Sequence, residues 1–360
     1  MRPRPDGDAF RRAPRRSAGY KEGGKHPGEM GSHVSCSPSP LADAQGRTIA
    51  YLRLSLTDRC NFRCEYCSPA DHEEPGHLLT RPEIARLAAL FGRLGVRRVR
   101  LTGGEPSLRR ELVGIVGDIH ATPGIEEVAL TTNGHRLREL SGPLRQAGLA
   151  SLNVSLDTLD AGRLARLSGR GAILADVLDG LDAAARAGFP RLKVNTVVMG
   201  GVNEDELGRL ARHAWARGAS PRFIELMPFG EGIPVPTARV KEILREQGLR
   251  LVPDPHRGWG PAHYMREAGS DPPRYVGFIG ALTENFCELC NRARIAADGG
   301  FQACLGGDVR FNLRDRMRAG ASDAELEEVV REALRAKAPR HQMADDGARL
   351  VLLPMMGIGG

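Results

Sequence analysis

The stretch that decides the fold is Tyr51–Cys67, which reads YLRLSLTDRCNFRCEYC. It begins as a β-rich run and ends in three cysteines, Cys60, Cys64 and Cys67, spaced C-x3-C-x2-C. Thiolates this close together on one loop can bind a compact inorganic core, and [4Fe–4S] clusters are held by Cys thiolates. Three ligands leave one iron open to a small molecule, as three protein ligands do for a catalytic zinc. A structural zinc is the alternative, although it prefers four protein ligands.

Downstream of this loop, short β-rich runs alternate with helical stretches. One helix is predicted from Arg81 to Leu94, because Thr80 and Glu83 form a T-x-x-E capping box and Gly95 ends the pattern. Each parallel strand needs a crossover helix, so the repeats predict an α/β fold, a partial TIM-like (β/α)6 barrel with its working residues at the C-terminal strand ends. The predicted strands are Tyr51–Leu56, Val96–Leu101, Glu127–Thr132, Ser151–Ser155, Leu192–Met199 and Arg222–Met227.

After about residue 250 the pattern changes to a smaller β-rich unit. Its predicted strands lie in Arg274–Leu282 and Arg292–Leu305, with a hairpin turn at 298–300, and a helix follows at Ala324–Lys337. We therefore divide the chain into a basic leader (1–45), the barrel (46–255), a C-terminal region that closes the barrel mouth (256–345) and a tail (346–360).

The C-terminal region carries a second cysteine trio, Cys287, Cys290 and Cys304, with the last residue brought back by the predicted hairpin. A zinc ribbon is the natural alternative for its C-x2-C spacing. However, no His lies between Cys287 and Cys304, and no fourth Cys is nearby. Three ligands again leave one position open on a four-iron cluster.

Charge and cysteine usage exclude several classes of function. Residues 1–25 hold eight Lys/Arg and three Asp/Glu, whereas the other 335 residues hold 43 and 41, so the net charge of +7 lies mostly in the leader. This Pro/Gly/Arg-rich leader is expected to be disordered and to lack a signal sequence, and duplex nucleic-acid binding is not supported.

Clustered cysteines, with Cys36 incidental in the leader, do not resemble a secreted disulfide framework. No apolar run is long enough to span a bilayer, and we expect a cytoplasmic protein.

The first trio, with Tyr66 before its last cysteine, resembles the signature of radical S-adenosylmethionine (SAM) enzymes. In that family the open iron chelates SAM, and an electron cleaves its C–S bond to give a 5′-deoxyadenosyl radical. The run from Thr102 to Pro106, TGGEP, resembles the family loop that receives the cofactor's amino group. The resemblance implies SAM contacts by Tyr66, Gly104, Ser155 and Met227.

Residues 47–360 are similar to one branch of that family, the GTP 3′,8-cyclases of molybdenum-cofactor biosynthesis. The motifs that carry the similarity are LRLSLTDRCNFRCEYC, RLTGGEPSLR, TTNG, NVSLDTLD, KVNTVVM, FIELMPFG, ENFCELCNRARIAADGGFQACL and the terminal Gly-Gly. The resemblance implies a second [4Fe–4S] cluster that binds guanine, and conversion of GTP to 3′,8-cyclo-7,8-dihydro-GTP. It also implies an electron donor and a downstream cyclic pyranopterin synthase, and a homodimer is a further expectation.

No P-loop pattern G-x4-G-K-[ST] occurs, so separate cations would have to hold a triphosphate. The family resemblance implies GTP contacts by Arg53, Arg100, Thr131, Lys193, Arg292 and Arg294. The chain departs from the family at two positions: Ser68 replaces the usual Met, and Gly200 stands where a Lys is common. Gly359-Gly360 matches a tail that reaches the active site.

Two other functions fit parts of the sequence. A radical SAM enzyme that modifies a peptide could carry an auxiliary cluster, although such enzymes usually have more C-terminal cysteines. A non-catalytic zinc or iron–sulfur module would explain the trios but not the TGGEP loop or the six β/α units.

Overall fold

A computed structural model describes residues 39–67, 78–169, 173–307, 310–341 and 343. The six predicted strands are all present, each followed by helical structure, and all pair in parallel with their neighbours along the chain. They are β1 (Tyr51–Ser55), β2 (Arg98–Thr102), β3 (Glu127–Thr132), β4 (Ser151–Ser155), β5 (Arg191–Val198) and β6 (Ser220–Glu225).

Helices lie between the barrel strands as predicted, and α1 (Arg81–Arg93), the one barrel helix whose bounds were predicted, begins at Arg81 as expected. The capping box of α1 is formed as expected, since the Thr80 hydroxyl accepts from the Glu83 amide and the Glu83 carboxylate accepts from the Thr80 amide. The barrel helices are α1 (Arg81–Arg93), α2 (Leu112–His120), α3 (Leu137–Gln146), α4 (Ala161–Ser168), α5 (Leu174–Ala187), α6 (Leu207–Trp215) and α7 (Thr237–Glu246).

The C-terminal region continues the barrel sheet at both edges. Strand β9 (Tyr275–Ile279) pairs in parallel with β6, and β10 (Arg292–Ile295) pairs in parallel with β1. Antiparallel partners follow outward: β8 (His263–Glu267) and β7 (Leu251–Arg257) on one side, β11 (Gly300–Gln302) and β12 (Arg310–Asn312) on the other. The described residues thus form one twelve-stranded sheet, ordered β12-β11-β10-β1-β2-β3-β4-β5-β6-β9-β8-β7, whose two ends do not pair with each other.

The remaining predicted C-terminal elements are also present. The β10–β11 hairpin turns at Asp298-Gly299-Gly300, where Gly299 has a φ of +86°, a backbone angle that favours glycine. Helix α8 (Leu313–Arg318) precedes α9 (Asp323–Arg335), the helix expected near residue 324. Phe301 of β11 stacks on Phe91 of α1 with ring centroids 5.8 Å apart, so the region packs on the barrel helices as well as on its strands.

Alternating residues of the barrel strands have opposite surroundings. Leu52 and Leu54 of β1 are buried in the apolar core under the helices, whereas Tyr51 and Arg53 line a cavity inside the barrel. Successive side chains of a strand point to opposite faces, so the sheet has an apolar outer face and a polar inner face. This pattern places charged groups inside the barrel.

No helix in the described parts of the chain is long and apolar enough to cross a membrane. Several sequence predictions lie outside the described residues: residues 1–38 of the leader with Cys36, then Ser68, and the tail with Gly359-Gly360.

Candidate active site at the barrel mouth

A cavity of about 300 Å³ opens inside the barrel, lined mainly by residues of β1–β6, the loops after these strands and the segment that follows β7. Most residues singled out from the sequence line its wall. They are Arg53, Cys60, Cys64, Tyr66, Cys67, Arg100, Gly104, Thr131, Ser155, Lys193, Met227 and Arg294. The fold thus brings residues from six strands and three loops to one place.

The first cysteine trio lies on the loop after β1, which has little regular structure of its own. The Phe62 amide donates to Cys60 Sγ at 3.3 Å, and the Cys67 amide donates to the Cys64 carbonyl at 2.9 Å. Burial raises the pKa of Cys60 to about 12 and that of Cys64 well above its usual range. Thiolates at this site therefore need a bound cation, which a metal centre supplies.

The TGGEP loop is closely packed against the cysteine loop. A Cβ on Gly104 would lie 2.3 Å from the Arg59 carbonyl oxygen, so only glycine fits there. The Gly104 amide donates to the Thr57 carbonyl at 2.7 Å, and the Glu105 amide donates to the Arg59 carbonyl at 2.7 Å. Backbone–backbone contact thus fixes the cysteine loop relative to β2.

Two buried carboxylates support this end of the cavity. Glu105 accepts from the Thr132 hydroxyl at 2.6 Å and from the Asn133 amide at 2.8 Å. Asp157 accepts from the Tyr66 hydroxyl at 2.7 Å and from the Val197 amide at 2.8 Å. Burial raises the pKa of Asp157 to about 6 and also raises that of Glu105. Asp157 is a cavity residue that the sequence reasoning missed.

The opposite end of the cavity is strongly cationic. Six basic side chains, here called the cation layer, line it: Arg53, Arg98, Arg100, Lys193, Arg222 and Arg294. Strand register explains the arrangement, because Arg53 of β1 lies beside Arg100 of β2 on one side and Arg294 of β10 on the other. Three guanidinium groups on adjacent strands therefore face the same space.

The cation layer contains more positive charge than its carboxylates neutralise. Glu127 pairs with Arg98 at 2.8 Å, and Arg222 donates to the amide oxygen of Asn195 at 2.6 Å. Burial, together with Arg222, Arg100 and Arg98, lowers the pKa of Lys193 to about 6. A lysine whose pKa is lowered this far by burial, and further by neighbouring cations, is typical of an anion-binding site.

Tyr51 lies within this layer. Burial would raise the pKa of its hydroxyl, but Arg100, Arg98 and Arg53 outweigh that effect and lower the pKa to about 7. The hydroxyl accepts a short hydrogen bond from Arg100 Nε, and the Arg98 guanidinium lies 4.9 Å from the ring centroid. Tyr51 therefore orients two of the guanidinium groups.

The second cysteine trio lies beside the cavity, whose wall includes its neighbours Arg294 and Leu305. Cys287 begins a one-turn 3-10 helix, Cys290 directly follows that helix, and the β10–β11 hairpin returns the chain to Cys304. Burial would raise the pKa of Cys290, but Arg292 and Lys337 lower it to about 7. This trio suits anionic sulfur ligands more readily than the first trio does.

Besides the second cysteine trio, Arg292 and Gly200 also lie outside the cavity wall. The Arg292 guanidinium is stacked over the Phe286 ring, 4.9 Å from its centroid, next to Cys290. Gly200 donates its amide to the Ile233 carbonyl at 2.8 Å. The wall instead includes several residues that the sequence reasoning did not select, among them Tyr51, Arg98, Asn153, Asp157, Asn195 and Arg222. Polar residues at alternate positions of otherwise apolar strands, as in Arg98–Thr102 (RVRLT), are the signal that could have found them.

In the described part of the chain, no group of three or more His, Cys, Asp or Glu side chains could hold a single metal ion. Cys60, Cys64 and Cys67 lie on one loop, close enough that Cys67 raises the pKa of the other two thiols. Three neighbouring thiols of this kind fit the donor set of an iron–sulfur cluster.

Comparison with known proteins agrees with this geometry. Residues 54–214 match the family model of the radical SAM superfamily, and residues 219–343 match that of Molybdenum Cofactor Synthesis C. The chain is 43% identical to a GTP 3′,8-cyclase of Heliobacterium modesticaldum, over 85% of this chain and 96% of the relative. It is 42% identical to a GTP 3′,8-cyclase of Pseudomonas putida, over 89% of this chain and 98% of that relative.

Among solved structures, Streptococcus suis SuiB bound to S-adenosylmethionine aligns with a TM-score of 0.56 and 12% identity. The alignment covers 78% of this chain and 67% of that one. At this identity the likeness concerns the fold alone, and it agrees with the partial barrel.

Proposed function

The chain belongs to the GTP 3′,8-cyclase family of the radical SAM superfamily, and from this premise we propose that it converts GTP to 3′,8-cyclo-7,8-dihydro-GTP. This is the first step of molybdenum-cofactor biosynthesis, and its cofactors are SAM and two [4Fe–4S] clusters. One observation carries the proposal: a single cavity has a cysteine trio at one end and a buried cation layer at the other.

The cysteine end of the cavity is assigned to SAM. Cys60, Cys64 and Cys67 would hold the first cluster, which together with SAM supplies a radical able to abstract a hydrogen atom. Tyr66 is held in place by its hydrogen bond to Asp157. The remaining proposed contacts, Gly104, Ser155 and Met227, line the same part of the cavity, and burial keeps water away from the reacting atoms.

The cation end is assigned to the triphosphate of GTP. Arg guanidinium groups bind phosphate oxygens in bidentate geometry, and Lys acts as a point charge. Arg53, Arg100 and Arg294 lie on adjacent strands, so they can contact one polyanion together. The family contacts Thr131 and Lys193 line the same cavity, whereas Arg292 would act from beside the second trio.

The second trio would complete the substrate site. Cys287, Cys290 and Cys304 are proposed to hold the second cluster, whose open iron would take the guanine base. Arg294 interacts electrostatically with both Cys290 and Cys304. This residue therefore connects the two halves of the GTP site, and it is the most informative position to change.

The proposal also includes partners of the protein, its location in the cell and the role of Gly200. An electron donor, a downstream cyclic pyranopterin synthase, a homodimer and a cytoplasmic location are expectations from the family. Gly200 is proposed to have no direct role in holding phosphate, because it lies against Ile233 and not in the cavity wall.

The test is conversion of GTP by anaerobically reconstituted protein with SAM and dithionite, followed by mass spectrometry after chromatographic separation. Wild type should form the cyclised product. Arg294→Ala should lose GTP conversion but still cleave SAM without coupling to GTP. Arg239→Ala, which removes an exposed cation paired with Glu242 and Glu246, is the matched control and should behave as wild type. Unchanged GTP kinetics in Arg294→Ala would show that the GTP site is misassigned.

A further inference from the structure

Three charged residues hold the second cysteine loop from the side away from the cavity. Asp43 and Arg47 lie on a turn that precedes β1, and Lys337 lies just after α9. The Arg47 guanidinium donates to the carbonyls of Cys287 at 2.8 Å, Pro339 at 2.7 Å and Ala338 at 3.0 Å. This arginine therefore ties the cysteine loop to the segment that carries Lys337.

The Lys337 ammonium is buried, with 1% of its side chain exposed. Its Nζ lies 3.0 Å from the Arg292 carbonyl, 3.8 Å from Cys290 Sγ and 3.7 Å from Asp43 Oδ2. An ammonium has three protons to donate; the Arg292 carbonyl and the Cys290 sulfur accept hydrogen bonds from it, and the Asp43 carboxylate lies at ion-pair distance. A buried charge persists only when it is compensated in this way.

The charge of Lys337 is only partly cancelled by Asp43. One Asp43 oxygen accepts from the Gln45 and Arg47 amides at 3.0 Å each, and the other accepts from Arg47 Nε at 2.6 Å. Lys337 is farther from this carboxylate than Arg47 is. The group of Asp43, Arg47 and Lys337 therefore carries a net charge of about +1 beside the Cys290 sulfur.

We propose that Lys337 is a positioning residue of the second cluster, and that its hydrogen bond to Cys290 Sγ raises the reduction potential of that cluster. One-electron reduction adds a negative charge to the cluster and its sulfurs, and hydrogen bonds to the sulfurs are among the factors that set the potentials of iron–sulfur centres. The inference rests on the proposed function only in that Cys287, Cys290 and Cys304 hold a [4Fe–4S] cluster.

The first trio has different surroundings. The Cys60 sulfur accepts from the Phe62 backbone amide, and the carboxylates Glu105 and Asp157 act on Cys60 and Cys64 respectively. Negative groups oppose the addition of an electron. The two clusters should therefore differ in potential, with the second cluster the easier to reduce.

The experiment compares wild type with Lys337→Met, Lys337→Gln and Lys337→Arg after anaerobic reconstitution. Iron content is measured first, and the two midpoint potentials are then obtained by redox titration followed by electron paramagnetic resonance. The signal that changes on adding SAM identifies the first cluster. Lys241→Met is the matched control, because Lys241 is a part-buried lysine of the C-terminal half that pairs with Glu284 at 2.5 Å.

In Lys337→Met we expect the equilibrium constant for reduction of the second cluster to fall about tenfold, which is about 59 mV for one electron. In Lys337→Gln the midpoint potential of the second cluster should fall less, and in Lys337→Arg it should stay close to the wild-type value. The midpoint potential of the first cluster should be the same in all variants. Unchanged potential in Met and Gln variants that load about eight irons would overturn the inference. So would loss of the second cluster from both, which would indicate a purely structural role. A wild type that loads only about four irons would instead refute the proposed function.

Discussion

Replacement of Lys193 by Met tests whether the cation layer binds the triphosphate. In the free protein, burial and the neighbouring Arg222, Arg100 and Arg98 lower the pKa of Lys193 to about 6. Near neutral pH this lysine is therefore mostly uncharged. A bound triphosphate would bring several negative charges into the layer and raise the pKa of Lys193 toward its ordinary value of about 10.4.

The sign of the pH dependence follows from this shift. Because the pKa is higher in the complex than in the free protein, binding takes up a proton, and affinity falls as pH rises above the free value of about 6. When binding restores the pKa of Lys193 fully to its ordinary value, the dissociation constant for GTP should increase roughly 20-fold between about pH 6.5 and about pH 8. In Lys193→Met the dissociation constant for GTP should no longer rise with pH. The only remaining pH effect is ionisation of the γ-phosphate, which strengthens binding as pH rises.

Calorimetry of GTP binding to the reconstituted protein without reductant measures this directly. Titrations in two buffers with different ionisation enthalpies should show uptake of close to one proton by wild type and close to none by Lys193→Met. Equal proton uptake by the two proteins would refute the reasoning, because Lys193 would then lie away from the bound phosphates.

Three further predictions concern the other parts of the site. Cys64→Ala should abolish SAM cleavage and lower the iron content from about eight to about four; continued formation of 5′-deoxyadenosine would refute its assignment. Gly104→Ala should abolish SAM binding in equilibrium dialysis, because the new Cβ would clash with the Arg59 backbone. In the control Gly142→Ala the new Cβ would meet no neighbouring atom within 4 Å, so this variant should bind SAM normally. Equal SAM binding by the two variants would contradict the role of Gly104. Glu127→Ala should lower the free energy of unfolding by about 3 kcal/mol in denaturant titrations, because it leaves a buried arginine without its carboxylate; an unchanged midpoint would count against that ion pair.

The parts of the fold that were predictable depend on local signals. Helix α1 was placed to within one residue because Thr80 and Glu83 form a capping box that the structure shows intact. The six barrel strands were found because each is a short β-rich run between helical stretches. The first cysteine trio was predictable for the same reason, since its ligands lie within eight residues.

The parts that were missed depend on contacts between distant residues. The register of Arg294 beside Arg53 joins strands that are more than two hundred residues apart. With 51 Lys/Arg in the chain, polar–apolar alternation within a strand marks Arg98 as a candidate but does not show that Arg222 lies in the same cavity. The contact of Lys337 with Asp43 likewise arises only when the chain folds.

The central claim is that one cavity brings the hydrogen-abstracting centre and GTP together, and isotope transfer tests it most directly. The reconstituted protein would be incubated with SAM, dithionite and GTP deuterated at C3′, and 5′-deoxyadenosine would be analysed by mass spectrometry. We expect deuterium in 5′-deoxyadenosine together with formation of 3′,8-cyclo-7,8-dihydro-GTP. Unlabelled 5′-deoxyadenosine with GTP recovered intact would contradict it.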